Sequence, residues 1–409
     1  MKILGITAEY NPFHNGHKYH IEESRKVTGA DCVVAVISGS FTQRGEAAIL
    51  DKWERSRLAV DNGIDLVVEL PFVYACAEAQ RFAAGAVDIL KGLGAEVISF
   101  GSESGDISAL RKTAGLLEEK AGEIGELRTS LMKRGDSYAK AGQLAAEEII
   151  GREAAALMLS PNNILALEYM RRINKWQKEG VNITPITVRR YGSGYLEENE
   201  GTGYAGASVI RSMKERVHFE KYVPKNVAEA LAAPKHSDEQ KSAAEEAAVA
   251  EKRFFELVRS EIVKSSAREL RRIYRMGEGL ENKLKKEIVR ACDLRELLSA
   301  VVSRRYTESS VRRLLVYVLM GMRRYELPAA VYARVLAAGR IGRMLLGELK
   351  KQEGHIPLIT NINKEETENF DVQECLQYDI LASDMYNLLY DRDMYVFSDK
   401  VKKPYMAEL

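Results

Sequence analysis

The stretch AEYNPFHNGHKYH, residues 8–20, holds three of the chain's six histidines. It follows KILGIT, a short apolar run that reads as a β-strand, and passes into a segment of helical periodicity that Gly16 and His17 open. A helix amino terminus presents unpaired N–H groups and the positive end of its dipole, a combination that attracts anions. His14 and His17, three residues apart on either side of Gly16, would both face whatever sits there. Gly16 has no Cβ to hold backbone and ligand apart. A triphosphate is the natural guest, and the imidazoles would donate to its oxygens during attack at the α-phosphorus. His17 and His20 are also spaced as a pair of metal ligands on a helix, but no third ligand of matching spacing accompanies them, so no metal site is expected.

The elements that must position these residues form an alternating series. Residues 3–7, 32–38, 65–70, 96–100 and 183–188 are short apolar runs, most of them rich in Val and Ile, and read as buried strands. Between them, residues 16–27, 51–62, 77–92 and 106–117 have helical periodicity, with Gly29, Gly63 and Gly94 as stops. A helix starting at SPNN, with Ser160 as its cap and proline at its first position, runs to about Trp176. This predicts an α/β fold with a Rossmann-like parallel sheet, whose ligands gather at the carboxyl ends of the strands. Gly101 lies at the end of the fourth strand and permits close approach of a base or ribose. Arg189 and Arg190 follow the fifth strand, where a guanidinium can grip phosphate; strand alternation lets only one of them point at the ligand. Gln43, Arg44 and Glu46, after the second strand, either line a pocket or order their loop. By its position alone, Asn162 is an ordinary residue of a helix start.

Beyond residue 207 the strand signal fades. Residues 191–206 are rich in Gly, Tyr and acid and read as a mobile loop; residues 226–350 have helical spacing, with a possible linker at 233–237. A mixed tail, residues 356–409, closes the chain and is a candidate to return to the first half. A chain of 409 residues accommodates such a division, into residues 1–225 and a mostly α-helical domain over residues 226–409. Net charge is only +1, yet residues 251–350 carry 23 Lys and Arg against 12 Asp and Glu. Four scattered cysteines suggest neither a metal knuckle nor a disulfide framework, and no apolar run is long enough to span a membrane. A cytoplasmic protein with no membrane association is expected.

NPFHNGH resembles the HxGH signature of the nucleotidyltransferase superfamily. With GSFTQRGEAAILDKWERSRLAVDNGIDLVVELPFVYACAEAQRFAAGAVDIL, FGSES, SPNNILALEY and ASVIR following in order, the chain resembles the bacterial tRNA(Met) cytidine acetate ligase family. GLENKL and SRRYT carry the likeness into the helical half. The resemblance implies activation of acetate with ATP to acetyl-adenylate, then transfer of the acetyl group to N4 of the wobble cytidine in the anticodon of elongator tRNA(Met). Magnesium is expected with the ATP. The loop over ATP would comprise Thr7, Ala8, Glu9, Tyr10, Asn11, Pro12, Phe13, His14, Asn15, Gly16, His17, Lys18, Tyr19 and His20. By the same likeness Gly101, Asn162, Arg189, Arg190 and Ser208 contact nucleotide, and His14, His17 and Arg211 are catalytic. ASVIR departs from the superfamily's second signature at Ala207 and Val209, where a hydroxyl is common.

The basic region then acquires a partner. Arginines come in pairs at 271–272, 304–305, 312–313 and 323–324, with Tyr274, Tyr306 and Tyr325 beside three of them. Arginine with aromatic side chains suits phosphates and unpaired bases. Thr307 reads as the cap of a helix through Met320, so Arg304, Arg305 and Tyr306 precede a helix amino terminus and Arg312 lies inside it. These four are the expected RNA contacts. Two other readings are a small-molecule adenylyltransferase, which the basic half disfavours, and a catalytically silent RNA-binding protein, which would not need His14, His17 and Arg211. Oligomeric state is not readable.

Overall fold

A computed structural model describes residues 1–136, 138–190, 203–213, 216–232, 242–323, 329–363 and 369–408. Eight strands form one sheet: β1 (Ile3–Ala8), β2 (Cys32–Ser38), β3 (Leu66–Leu70), β4 (Val97–Ser102), β5 (Thr184–Arg189), β6 (Ala333–Ala338), β7 (Leu358–Ile359) and β8 (Tyr405–Met406). Their order is β5–β4–β1–β2–β3–β6–β7, with β8 also paired to β6. The first five strands run parallel; β1 to β4 are mostly buried, as strands covered on both faces are, the edge strand β5 is largely part-exposed, and β6 is antiparallel to β3. Because the chain proceeds from β1 to β2 and β3 and then crosses to β4 on the other side of β1, strand order reverses at β1–β4. A crevice opens there, at the carboxyl ends.

Helix α1 (Asn15–Thr28) follows β1 and ends at Gly29, whose φ of 63° is the left-handed conformation that glycine adopts at helix ends. Helix α2 (Lys52–Asp61) is capped by Asp51, which accepts from the Glu54 N–H at 2.8 Å. The helix Pro161–Lys178 begins after Ser160 with proline at its start, as expected, but Ser160 makes no side-chain cap bond. Thr307 caps the helix Glu308–Leu319.

The helical half needs one correction. Residues 226–350 were expected to be mostly helical, with no strand; helices Ala243–Lys264, Leu280–Glu287, Leu294–Val301 and Glu308–Leu319 lie there, but Ala333–Ala338 is a strand. All six of its residues are buried, and so short an apolar run has no period that separates strand from buried helix. The gap beside β3 decides between them. The tail returns through Asp399, which accepts from Lys52, Arg334 and Ser383, each at 2.8 Å. Lys52 and Arg334 also pair with Glu69 of β3, at 2.8 and 3.2 Å. The 233–237 linker, Arg324, Tyr325 and residues 191–202 lie outside the described residues. One buried cluster extends from Ile3 through the helices of the second half to Leu389, and a second covers the other face of the sheet.

Candidate active site

A cavity of about 300 Å³ occupies the β1–β4 crevice. Thr7, Ala8, Glu9, Tyr10, Asn11, His14, His17 and His20 line it from β1 and α1; Thr42, Gln43, Arg44 and Glu46 from the loop after β2; Gly101 and Glu103 from the end of β4. Asn162, Arg190, Ser208 and Arg211 complete the polar wall, and Phe82, Phe100, Leu165 and Tyr169 add apolar surface. Gly16, Tyr19 and Arg189 line a smaller pocket that shares His14, His17, His20, Gly101 and Arg190 with the first. Four members of the expected loop line neither. Pro12 and Phe13 are buried, with Phe13 packed on Tyr10 and His17; Lys18 is exposed; and Asn15 donates to the Gly203 and Lys221 carbonyls.

The histidines are built into the start of α1. His14 precedes its first turn in extended conformation, and its ring stacks on His17 with centroids 3.6 Å apart. The His14 N–H donates to Nδ1 of His17 at 3.2 Å, which leaves Nε2 of His17 to carry the proton. Among the described residues neither ring nitrogen of His14 has a partner. His20 is tied instead to β4, through Ser99 Oγ at 2.8 Å. Burial, followed by the positive charge of Arg190, lowers His14 to about 3 and His20 to about 4; burial, then His14 and Arg190, also lowers His17 far below its ordinary value. In all three, burial favours the neutral imidazole.

Arg190 is the member of its pair that lies on the main cavity. It passes over Gly101, where a Cβ would stand 3.1 Å from its Cγ, and its Nε has no partner among the described residues. Arg189 is exposed and packs beside Gly105. Arg211 donates to the Asn11 carbonyl at 2.7 Å and to Glu46 at 3.2 Å, while Arg44 donates to Ser208 Oγ at 3.3 Å. Asn162 donates through Nδ2 to Glu103 at 2.7 Å. The same carboxylate accepts from the Asn162 and Asn163 N–H groups, and so does the capping that was expected of Ser160.

Sequence reasoning missed Glu103 and Arg55. The buried Arg55 donates to the carbonyls of Glu9 at 2.6 Å, Ser38 at 3.0 Å and Gly39, clamping the β1 loop to the end of β2. An arginine on the inner face of α2, in WERSRL, was the available signal.

The expected RNA residues divide. Arg304 is exposed; Arg305 pairs at the surface with Glu278 at 2.6 Å; Tyr306 donates to the Gly277 carbonyl at 3.3 Å. Arg312 is mostly buried among Glu308 at 2.9 Å, Glu251 at 3.5 Å and Glu46 at 3.9 Å, so it joins the helical half to the cavity loop. Beside it Arg313 donates to the Gln43 carbonyl at 2.9 Å. Gly45, at φ 77°, lies so close to this helix that a Cβ would stand 2.4 Å from the Arg313 nitrogen.

Nine described residues carry a buried side-chain N or O atom without a partner, and five of them, Thr7, Tyr10, His14, Thr42 and Arg190, line this one cavity. Such atoms cost roughly 1–3 kcal/mol each when left unmatched. Their concentration marks a binding site for a polar ligand.

A profile of the HIGH Nucleotidyl Transferase family matches residues 1–400. A tRNA(Met) cytidine acetate ligase of Thermoanaerobacter sp. (strain X514) is 38% identical over 400 residues, 95% of this chain and 96% of that protein. This chain belongs to the tRNA(Met) cytidine acetate ligase family. Its relative of that name from Acetivibrio thermocellus is 36% identical, with 95% of each chain covered. Among solved structures, Thermotoga maritima TmcAL in its apo form matches with a TM-score of 0.84 at 27% identity over 99% of both chains. The same protein bound with alpha-thio ATP matches at 0.83. The HNGH phrase, which resembles an HxGH signature, is in three dimensions the His14–His17 stack at the start of α1.

Proposed function

We propose that this protein is an ATP-dependent ligase that joins acetate to N4 of the wobble cytidine of elongator tRNA(Met), through acetyl-adenylate. The observation that carries the reading is the set of unmatched donors and acceptors around His14, His17 and Arg190, at a helix amino terminus in the crevice where strand order reverses. The names of the relatives and the ATP analogue bound by the Thermotoga maritima protein support it.

In the first step the acetate oxygen attacks the α-phosphorus and pyrophosphate departs. Acetate is already a nucleophile, so the protein's contribution is alignment and charge stabilisation. His17, with its proton on Nε2, and the unmatched His14 donate to phosphate oxygens; Arg190 supplies positive charge beside them. Ser208 and Arg211 serve the same phosphates from the opposite wall. In the second step the cytidine, splayed out of the anticodon loop, presents its amine to the mixed anhydride, and AMP leaves. Magnesium arrives on the triphosphate as part of the substrate. Among the described residues no group of three His, Cys, Asp or Glu is gathered to hold a metal ion.

We assign nucleotide and acetate to residues 1–225, and the anticodon region to the basic face of residues 226–409, with Arg304, Arg305 and Tyr306 as contacts. Arg312 acts from behind this face by seating the cavity loop. Among the described residues no helix is long and apolar enough to cross a membrane, and the substrate RNA locates the activity in the cytoplasm. The test is to supply ATP and carbon-labelled acetate with and without elongator tRNA(Met). Label in the cytidine supports the reading; pyrophosphate release that needs another substrate and no RNA replaces it with a small-molecule adenylyltransferase.

A further inference from the structure

Among the described residues three carboxylates line the cavity, and two have fixed work. Glu46 is paired with Arg211 at 3.2 Å and faces Arg312 at 3.9 Å. Glu103 closes the start of helix Pro161–Lys178. Glu9 differs from both. Its Oε1 accepts one hydrogen bond, from the Gln43 N–H at 2.7 Å, and it makes no ion pair among the described residues.

Its place on the wall is also distinct. The smaller pocket, which continues from the histidines past Gly101 to Arg189 and Arg190, does not include Glu9 or the loop after β2. The nucleoside side of the cavity, with Gly101 and Arg190, therefore lies toward β4 and β5, while Ser208 and Arg211 reach the phosphates from across it. Glu9 belongs to the opposite wall, with Gln43 and Arg44, and that loop is seated on helix Glu308–Leu319 of the basic half. An RNA held by the helical half would bring its amine to this side.

Building on the two-step reading above, we propose that Glu9 is the proton acceptor of the second step. The cytidine N4 attacks the acetyl carbonyl carbon and the N–C bond forms. The bond from that carbon to the phosphate oxygen breaks, its electron pair leaving with AMP, and the N–H proton passes to the Glu9 carboxylate and then to water. An amine conjugated with a pyrimidine ring is a weak nucleophile until that proton departs, and a positioned base contributes about 10²–10⁴-fold. The first step needs no such base, because acetate enters as an anion.

Electrostatics agree with the geometry. Burial is the leading influence on Glu9 and raises its pKa, the direction that suits a base working near neutral pH; the Gln43 hydrogen bond, Arg211 and Arg44 oppose the rise and Glu46 adds to it. Arg55, which donates to the Glu9 carbonyl, with Tyr169 and Cys76, are the other titratable groups facing it.

The experiment compares wild type with Glu9→Gln and Glu9→Asp in two assays between pH 6 and 9. One is acetate-dependent exchange of labelled pyrophosphate into ATP; the other is single-turnover transfer of labelled acetyl from enzyme-bound acetyl-adenylate to elongator tRNA(Met). For Glu9→Gln, transfer is expected to fall at least about 100-fold further than exchange and to lose the wild-type rise with pH. Glu9→Asp is expected to recover part of the transfer and keep a pH-dependent rise. Equal losses in both assays, or transfer by Glu9→Gln at the wild-type rate, overturn the proposal. A folding defect would lower both assays together in Glu9→Gln and gain nothing from the restored charge in Glu9→Asp, which counts against it. Wild-type protein that shows no acetate-dependent exchange contradicts the two-step reading itself, a separate result.

Discussion

Two groups of polar side chains lie at the carboxyl ends of neighbouring strands, and they are finished differently. In one, Lys52, Glu69, Arg334 and Asp399 are all but fully buried and mutually paired at 2.8–3.2 Å. In the other, Thr7, Tyr10, His14, Thr42 and Arg190 carry atoms with no partner among the described residues. Buried charge that is fully paired ties the tail to the sheet, and its removal is costly because a partner is left alone. Polar groups left unmatched forgo that stability and keep their hydrogen bonds for a ligand. The first group is architecture and the second is a site.

The largest effect belongs to the matched group. Asp399→Ala leaves Lys52 and Arg334 with one carboxylate between them, and is expected to cost about 3–5 kcal/mol in denaturant unfolding. Exchange activity per folded molecule should stay within about twofold. A large loss of activity without loss of stability would erase the distinction. Beside the unmatched group, His17→Ala should lower acetate-dependent exchange about 10²–10³-fold while costing less stability than Asp399→Ala.

Acid separates the groups as well. His14 and His20 are held by burial to about 3 and about 4, below the ordinary value near 6.5. The unfolded chain therefore binds protons that the native state refuses. Stability is full above about pH 6.5 and declines as pH falls toward those depressed values, by on the order of 1–2 kcal/mol per histidine at pH 5. Replacing either histidine by Gln should flatten that decline in unfolding measured from pH 7.5 to 5, and an unchanged slope would count against the burial argument.

Smaller effects sharpen the boundary. Gly45→Ala places a Cβ against the Arg313 backbone at positive φ, and should cost roughly 1–3 kcal/mol and raise the KM for ATP as Arg44 and Glu46 shift. Tyr10→Phe removes a hydroxyl with no partner, so its stability should stay within about 0.5 kcal/mol of wild type or improve. A loss above about 1 kcal/mol would mean that the hydroxyl is matched after all.

Much of this was legible before the fold was in view. The first five strands and the helix starts at Gly16 and Ser160 lie within a few residues of their expected places, because each has a short apolar run or a local stop signal. His14 and His17 were legible for the same reason: their chemistry follows from a helix start four residues long. Glu103 was not, since it reaches a helix 59 residues away and replaces a cap that Ser160 was expected to supply. The Lys52–Asp399 pair spans 347 positions and has no local signature. Ala333–Ala338 has no strand signature of its own, because its apolar run is short and its strand partner lies far back in the chain, at β3. Arg312 was assigned to RNA from its pairing with Arg313, whereas its surroundings are three glutamates drawn from separate elements.

The most direct test of the account is acetate-dependent exchange of labelled pyrophosphate into ATP by the purified protein without RNA, in wild type and His17→Ala. The account predicts exchange that requires acetate and falls at least about 100-fold in the variant. Exchange that proceeds equally without acetate, or that survives loss of the His17 ring, would contradict it.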